Sequence, residues 1–396
     1  MGETFASRRV AEQSDELNGR GGTVMNNPIG SANGSPMAPA TATRTFKNIV
    51  LCFDGTDNQI RAYRNTNVVK IFRALENQDG EQLMYYDPGV GTFASTRVWS
   101  PPGRWASKML GRAFGLGLKT NLAEAYTFLM NNWEPGDKIF IFGFSRGAFN
   151  ARALAGLLNK IGIPRRSSEN LIQYAIDLYA RRNWTDEAED NAHEFRRTVC
   201  RAVKPDAGES ERYCVPIEYL GLWDTVNAPG IFRRKLSFPH SDSLGNVLAG
   251  RHAVSLDENR RPFKESLVTN AAIEEAWFAG IHSDVGGGFA ERKLGDISLL
   301  WVLQGARGAG IVMRRTADLR ELPEVDSSYA EGVLNKNDKL WALITYRTRR
   351  PAPSAKVHAS VSVRRNSEAY HSYGGHLVNP SWVATDWADS AWTRAE

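Results

Sequence analysis

Gly143-Phe144-Ser145-Arg146-Gly147 decides the fold, because of what stands on each side of it. Before it runs Asp137-Lys138-Ile139-Phe140-Ile141-Phe142, a short apolar run rich in Ile and Phe that predicts a buried strand. After it runs Ala148 to Leu158, with apolar residues at helical spacing. A serine at a strand-to-helix turn, with Gly143 and Gly147 two positions away on either side, matches the nucleophile elbow of the α/β-hydrolases. Such a turn is tight enough to strain the serine backbone, and only small residues fit beside it. It raises the hydroxyl above the sheet edge, at the start of a helix whose dipole favours developing negative charge. The bland alternative is a structural Gly/Ser turn.

Working outward, Phe46-Lys47-Asn48-Ile49-Val50-Leu51-Cys52-Phe53 is the continuous apolar run of a central parallel strand, ending at the polar loop Asp54-Gly55-Thr56-Asp57-Asn58. A helix is predicted over Asn67 to Leu75, a strand over Gln82 to Tyr86, and an amphipathic helix between Phe114 and Asn132. This β-α-β-α-β alternation predicts an α/β domain, α/β-hydrolase-like, with a mostly parallel sheet and helices on both faces. Residues 164–216 read as a charged helical insertion, placed either over the active-site rim or as a plain surface excursion. Further strands are predicted at Ile217 to Trp223 and Glu275 to Gly280, a helix over Leu299 to Arg307, and weak strand signals around Val357 to Val363. The catalytic domain is expected over 45–380, between an N-terminal tail (1–44) and a C-terminal tail (381–396). The N-terminal tail, rich in Gly, Ala, Ser, Asn and Pro, is expected to be disordered.

Composition narrows the function classes. The 396 residues carry a formal charge of +5, spread without a strong Lys/Arg block, so no nucleic-acid partner is expected. No apolar run is long enough to span a bilayer, and residues 1–44 lack the apolar core of a Sec signal. A cytoplasmic location follows as the expectation, compatible with export by a dedicated secretion system. Cys52, Cys200 and Cys214 are few, odd in number and scattered, which argues against a disulfide framework or a zinc site.

A serine nucleophile needs a base, and the base needs an orienting carboxylate. Asp224 directly follows the strand ending at Trp223, and His282 follows the later strand in Gly280-Ile281-His282-Ser283-Asp284-Val285-Gly286-Gly287-Gly288. The order Ser145, Asp224, His282 is that of an α/β-hydrolase triad. His252 is the rival base, and Asp284 competes with Asp224 while also suiting a brace for the Gly-rich loop. Neither His193, in a charged helix, nor His371 and His376, in a polar C-terminal loop, follows a strand. The oxyanion hole is expected from the backbone N–H of Arg146 and from Gly55-Thr56. Asp54 is expected to hold its loop by accepting backbone N–H groups; the other readings make it an alternative triad acid or a metal ligand with Asp57.

Five ordered motifs go beyond a generic elbow: Phe53-Asp54-Gly55-Thr56, Tyr86-Asp87-Pro88-Gly89-Val90-Gly91-Thr92, Gly143 to Ala148, Trp223-Asp224-Thr225-Val226 and His282 to Gly288. Ala253-Val254-Ser255-Leu256-Asp257-Glu258-Asn259-Arg260 adds a sixth segment of the same pattern. Together they resemble the catalytic-domain family of type VI secretion phospholipase effectors, over roughly Thr45 to Pro380. The resemblance implies an α/β-hydrolase fold and a Ser-Asp-His esterase mechanism, with Ser145, Asp224 and His282 at the matching positions and no cofactor or metal. It also implies cleavage of phospholipid acyl esters, although the added membrane-engaging segments of those effectors have little room in this chain. The partners expected are a small-molecule or lipid ester substrate and peripheral contact with membrane. Two rival classes stand beside it: a metal-dependent phosphoesterase using Asp54, Asp57, Asp284 and His282, and a catalytically silent α/β-hydrolase scaffold that binds a partner.

Overall fold

Alternate side chains of the first strand, β1 (Asn48–Phe53), face opposite sides of the sheet, and both sides are covered. Ile49, Leu51 and Phe53 enter one apolar cluster, whereas Val50 and Cys52 enter another. A strand buried on both faces has no polar side to show, hence its continuous apolar sequence. The computed structural model describes residues 45–55, 58–89, 112–181, 184–226, 244–315, 322, 324–336, 348–352, 354–365 and 383–385 (backbone alone at 112–116, 209–210 and 383–385). They belong to one compact unit, Thr45–Glu396. The expectations for the tail 1–44, Thr56, Asp57, Val90 to Thr92, His371 and His376 lie outside the described residues.

After β1 come α1 (Asn67–Ala74), β2 (Gln82–Asp87), α2 (Arg112–Asn132), β3 (Lys138–Phe144) and α3 (Arg146–Lys160). Then follow α4 (Ile172–Tyr179), α5 (Asp186–Val199), α6 (Glu209–Arg212), β4 (Tyr219–Trp223), β5 (Gly250–Ser255) and β6 (Ile273–Phe278). The chain continues through α7 (His282–Gly286), α8 (Lys293–Gly308), β7 (Lys356–His358), α9 (Ala359–Arg365) and β8 (Val383–Thr385). The eight strands form one sheet in the order β2-β1-β3-β4-β5-β6-β7-β8, and all neighbours are parallel. All carboxyl ends therefore share one edge. α2 and α3 pack on one face with Leu122, Leu129, Leu154 and Leu158; α1 and α8 pack on the other with Val68, Ile71, Leu299 and Val302. Each such side chain, fully removed from water, contributes about 1.5–3 kcal/mol.

Helices α4 to α6 do not reach over the carboxyl edge by any contact of the described residues. Ile172, Ile176 and Phe195 join the α2/α3 cluster, and the segment is tied to the far ends of those helices. Arg196 donates to the Lys160 carbonyl, Tyr126 to Gly162, and Arg201 to the carbonyls of Met130 and Trp133.

Three local readings are corrected. β5 was not predicted, because Arg251 and His252 interrupt its apolar pattern. Both are satisfied in place: the Arg251 guanidinium lies 4.9 Å over the Trp301 ring, and His252 is hydrogen bonded at both ring nitrogens. The strand expected over Val357 to Val363 stops at His358, where the Ser360 N–H donates to His358 Nδ1 and the chain turns into α9. Val383–Thr385, inside the segment 381–396 expected as a tail, pairs with β7 as an edge strand.

Candidate active site

The elbow forms because two stretches of backbone meet with no room for side chains. A Cβ on Gly147 would stand 2.2 Å from the Phe53 carbonyl oxygen, and one on Gly143 would stand 2.6 Å from Ala148 Cα. Between them Ser145 is held at φ 59°, ψ −119°, a left-handed backbone that costs a non-glycine residue of order 1–3 kcal/mol. The Ser145 N–H donates to the Trp223 carbonyl at 2.9 Å, which ties the turn to the end of β4.

Two strands farther along, past β4 and β5, β6 delivers the histidine. After β6 the chain turns at Gly280 (φ 114°) and starts α7 at His282. The His282 Nε2 lies 2.7 Å from Ser145 Oγ, and its Nδ1 lies 2.6 Å from Asp224 Oδ2. The ring is sandwiched by aromatic neighbours, with Phe144 at 4.6 Å and Phe263 edge-on at 4.9 Å. The Glu258 carboxylate accepts the His282 backbone N–H at 3.2 Å and is itself bound by Arg260. His282 was expected in a Gly-rich loop; it opens a one-turn helix, and the glycines follow.

Asp224 terminates β4 with φ 38° and is fully buried. Its Oδ1 accepts the Ser255 N–H at 2.9 Å and Arg349 Nη1 at 2.5 Å; Arg349 Nη2 reaches Oδ2 at 3.1 Å. Arg349 also donates to the carbonyls of Ser255 and Phe263. Burial alone would raise the Asp224 pKa, but the Arg349 guanidinium and the bond from His282 outweigh it and hold the carboxyl well below its ordinary range. Burial pushes the His282 pKa down, and the Asp224 carboxylate offsets only part of that. A neutral imidazole beside a hydroxyl, backed by an ionised carboxylate, is a group able to accept the hydroxyl proton.

The sequence missed Arg349. It lies in Arg347-Thr348-Arg349-Arg350, a basic run indistinguishable from a solvated surface segment, yet its side chain is 2% exposed. Glu258 was visible within the motif ending at Arg260, although its contact with His282 was not.

Other expected residues divide. The Asp54 carboxylate accepts the Gly55 N–H at 2.7 Å, Thr66 Oγ1 at 2.8 Å and the Tyr86 hydroxyl at 2.9 Å, and burial pushes its pKa up to about 6. These bonds tie the end of β1 to Thr66 and to Tyr86 of β2. The same bond corrects the role expected of Gly55: its amide already points at Asp54, because a buried carboxylate needs that donor. Gly55 nevertheless lies against the nucleophile position, since a Cβ there would stand 3.3 Å from Ser145 Cβ. Asp284 accepts the Ile281 N–H at 3.0 Å and Asn335 Nδ2 at 2.6 Å, bracing α7 rather than meeting His282. His252, the rival base, is buried on β5, bonded to Glu275 and Thr225 instead of Ser145. Among the described residues no three His, Cys, Asp or Glu side chains converge in a way that could hold a metal ion. Nor is any described helix long and apolar enough to cross a membrane.

A parallel α/β sheet with a strained serine elbow, and a histidine and an acid at later strand ends, defines a domain of the α/β-hydrolase type. The chain belongs to the family described as "T6SS, Phospholipase effector Tle1-like, catalytic domain", whose pattern matches residues 47–305. It is 36% identical over 245 residues to "Uncharacterized protein YEL023C" of Saccharomyces cerevisiae, a match covering 61% of this chain and 35% of the yeast protein. The chain thus spans about a third of that relative's length. Partial likenesses among solved structures include an uncharacterized protein from Pseudomonas aeruginosa, at 18% identity and TM-score 0.37, covering 73% of this chain and 50% of that one. Another is the Tle1 effector bound to the VgrG spike of the type VI secretion system, at 20% identity and TM-score 0.34, covering 62% of this chain and 52% of that one.

Proposed function

We propose that this chain is a serine ester hydrolase that cleaves acyl esters of phospholipids, with Ser145 as nucleophile, His282 as general base and Asp224 as the orienting acid. The observation that carries the reading is the unbroken chain of short hydrogen bonds, 2.7 Å from Ser145 Oγ to His282 Nε2 and 2.6 Å from His282 Nδ1 to Asp224 Oδ2. The catalytic unit in this reading runs from residue 45 through the edge strand β8 at Val383–Thr385, with residues 164–216 as its helical insertion.

His282 Nε2 takes the Ser145 proton as the oxygen attacks the ester carbonyl carbon. The Asp224 carboxylate holds the proton on Nδ1, so Nε2 presents its lone pair to the hydroxyl, and it stabilises the imidazolium that forms. Negative charge developing on the carbonyl oxygen is met by the Arg146 N–H, the first amide of α3. The imidazolium then protonates the departing alcohol, and water, deprotonated by His282, releases the acyl group from Ser145.

Ser145→Ala tests the assignment. It should lower kcat on a water-soluble acyl ester by roughly 10³-fold or more and abolish labelling by a fluorophosphonate. Full activity in purified, folded Ser145→Ala would end the serine mechanism. Chelator-sensitive activity that survives the substitution would instead favour the metal-dependent phosphoesterase.

A further inference from the structure

Three of the seven exposed large apolar side chains of the described residues sit on two loops at the carboxyl edge of the sheet, the edge that carries Ser145 and His282. They are Ile60 (48% exposed), Tyr63 (82%) and Leu267 (42%). The first loop joins β1 to α1, and its Thr66 end pairs with Gly287, just past α7. The second follows β5; it is pinned at the same edge by the Glu265 bridge to Val226 and by Phe263 against the His282 ring. Since β1 lies on one side of β3 and β5 on the other, the two loops rise on either side of the serine.

Among the described residues of these loops the outward charge is basic. Residues 58–65 carry Arg61 and Arg64 and no acid, and residues 59–64 are all exposed. In the second loop Asp257 accepts the Gly280 N–H at 2.6 Å, Glu258 is turned inward onto Arg260, and Glu265 lies 3.6 Å from the buried Arg349. Arg261 and Lys264 remain exposed at the surface. Tyr63 and Arg64 also wall an open cavity of about 500 Å³ that continues to Lys70 and Arg292. Exposed aliphatic and tyrosyl groups beside outward cations, with the neighbouring acids spent internally, match the chemistry of a membrane interface with anionic headgroups.

We propose that this face, built from Ile60, Tyr63 and Leu267 with Arg64, Arg261 and Lys264, docks the protein on an anionic lipid bilayer and so turns the Ser145 mouth toward its substrate. The proposal rests on the phospholipase reading for its meaning, but binding is measurable without chemistry. Each basic side chain near an anionic surface is worth roughly a fivefold gain in partitioning, so three together give roughly 10²-fold.

The test uses the full chain carrying Ser145→Ala, in flotation with phosphatidylcholine vesicles with and without phosphatidylglycerol. The parent should prefer the anionic vesicles. Adding Arg64→Gln, Arg261→Gln and Lys264→Gln should remove that preference by roughly 10²-fold, whereas Ile60→Ser with Tyr63→Ser should weaken binding to both vesicles. With Ser145 restored, both sets of variants should keep the parent rate on a soluble short-chain ester and lose rate on vesicles. Equal binding of parent and triple variant to anionic vesicles would overturn the proposal. So would a parent that ignores vesicles altogether, an outcome that would leave the face to an acidic protein partner. Neither result touches the triad, which stands or falls on the soluble ester.

Discussion

Replacing Arg349 with Met probes the electrostatics behind the proposed base. The guanidinium sits on the far side of the Asp224 carboxylate from His282 and donates to both its oxygens. An imidazolium at His282 would therefore feel the carboxylate that favours it and, beyond it, a fixed cation that opposes it. Two unit charges roughly 6 Å apart at an effective dielectric of about 20 repel by about 3 kcal/mol. Such an energy corresponds to roughly 10²-fold in a protonation equilibrium. Removing the cation favours the charged imidazole, so the His282 pKa rises from its lowered position. Because the free enzyme needs neutral His282, the acidic limb of kcat/KM should move to higher pH, by roughly one pH unit or more. Glu258 and Arg260, the other charged groups facing His282, stay in place and cancel between wild type and variant. Breaking a buried ion pair costs about 3–5 kcal/mol, so a thermal melt must first establish that the variant is folded. Arg349→Lys serves as the companion, since it keeps a charge and loses the two-pronged geometry. Its acidic limb should stay near wild type while kcat falls. The assay is a pH profile of kcat/KM on a soluble ester, paralleled by the pH dependence of fluorophosphonate labelling. A folded Met variant with an acidic limb unmoved, or moved to lower pH, would refute the reasoning.

Asp224→Asn leaves His282 without an anion to hold its proton on Nδ1, and kcat should fall roughly 10⁴-fold with little change in KM; steady-state kinetics on the same ester decide it, and a loss under tenfold would remove Asp224 from the mechanism. Gly147→Ala forces a Cβ to within 2.2 Å of the Phe53 carbonyl oxygen and 2.5 Å of that of Asp54. Backbone of a central strand cannot retreat, so a thermal melt should show destabilisation of about 1–3 kcal/mol or more, together with loss of labelling at Ser145; an unchanged melt and full labelling would contradict the close approach.

The central sheet was legible because its strands are buried on both faces and so write themselves as apolar runs ended by polar turns. Asn48 to Phe53 and Lys138 to Phe144 fall where the sequence predicts them, and Gly143 and Gly147 betray the tight turn between strand and helix. What failed to read was structure that depends on a distant partner. β5 hides because Arg251 needs Trp301 and His252 needs Glu275 before either can lie in a strand. The Val357 to Val363 stretch alternates like a strand, yet a single contact between Ser360 and His358 turns it into helix. The same holds at the site. Ser145, Asp224 and His282 each follow a strand, which marks them locally. Arg349 follows none, and its meaning exists only once Asp224 is folded against it.

A second set of residues in this domain repeats the arrangement of the proposed triad, and the difference between the two lies in their geometry. Glu275 Oε2 lies 2.9 Å from His252 Nδ1, and His252 Nε2 lies 3.1 Å from Thr225 Oγ1, so carboxylate, imidazole and hydroxyl stand in line as they do at Ser145. Here, however, the Thr225 backbone N–H also donates to Nε2, at 3.2 Å. That donation fixes the proton on Nδ1 and occupies the lone pair a base would need. Thr225 lacks the positive φ of Ser145, so no strained turn lifts its hydroxyl clear. The arrangement therefore works as a bolt: it pins the residue beside Asp224, whose own φ of 38° needs holding. Of these two histidines, one on β5 and one just after its neighbour β6, only His282 suits the proposed base. What separates them is a free lone pair and a raised hydroxyl, and both come from the elbow at Ser145.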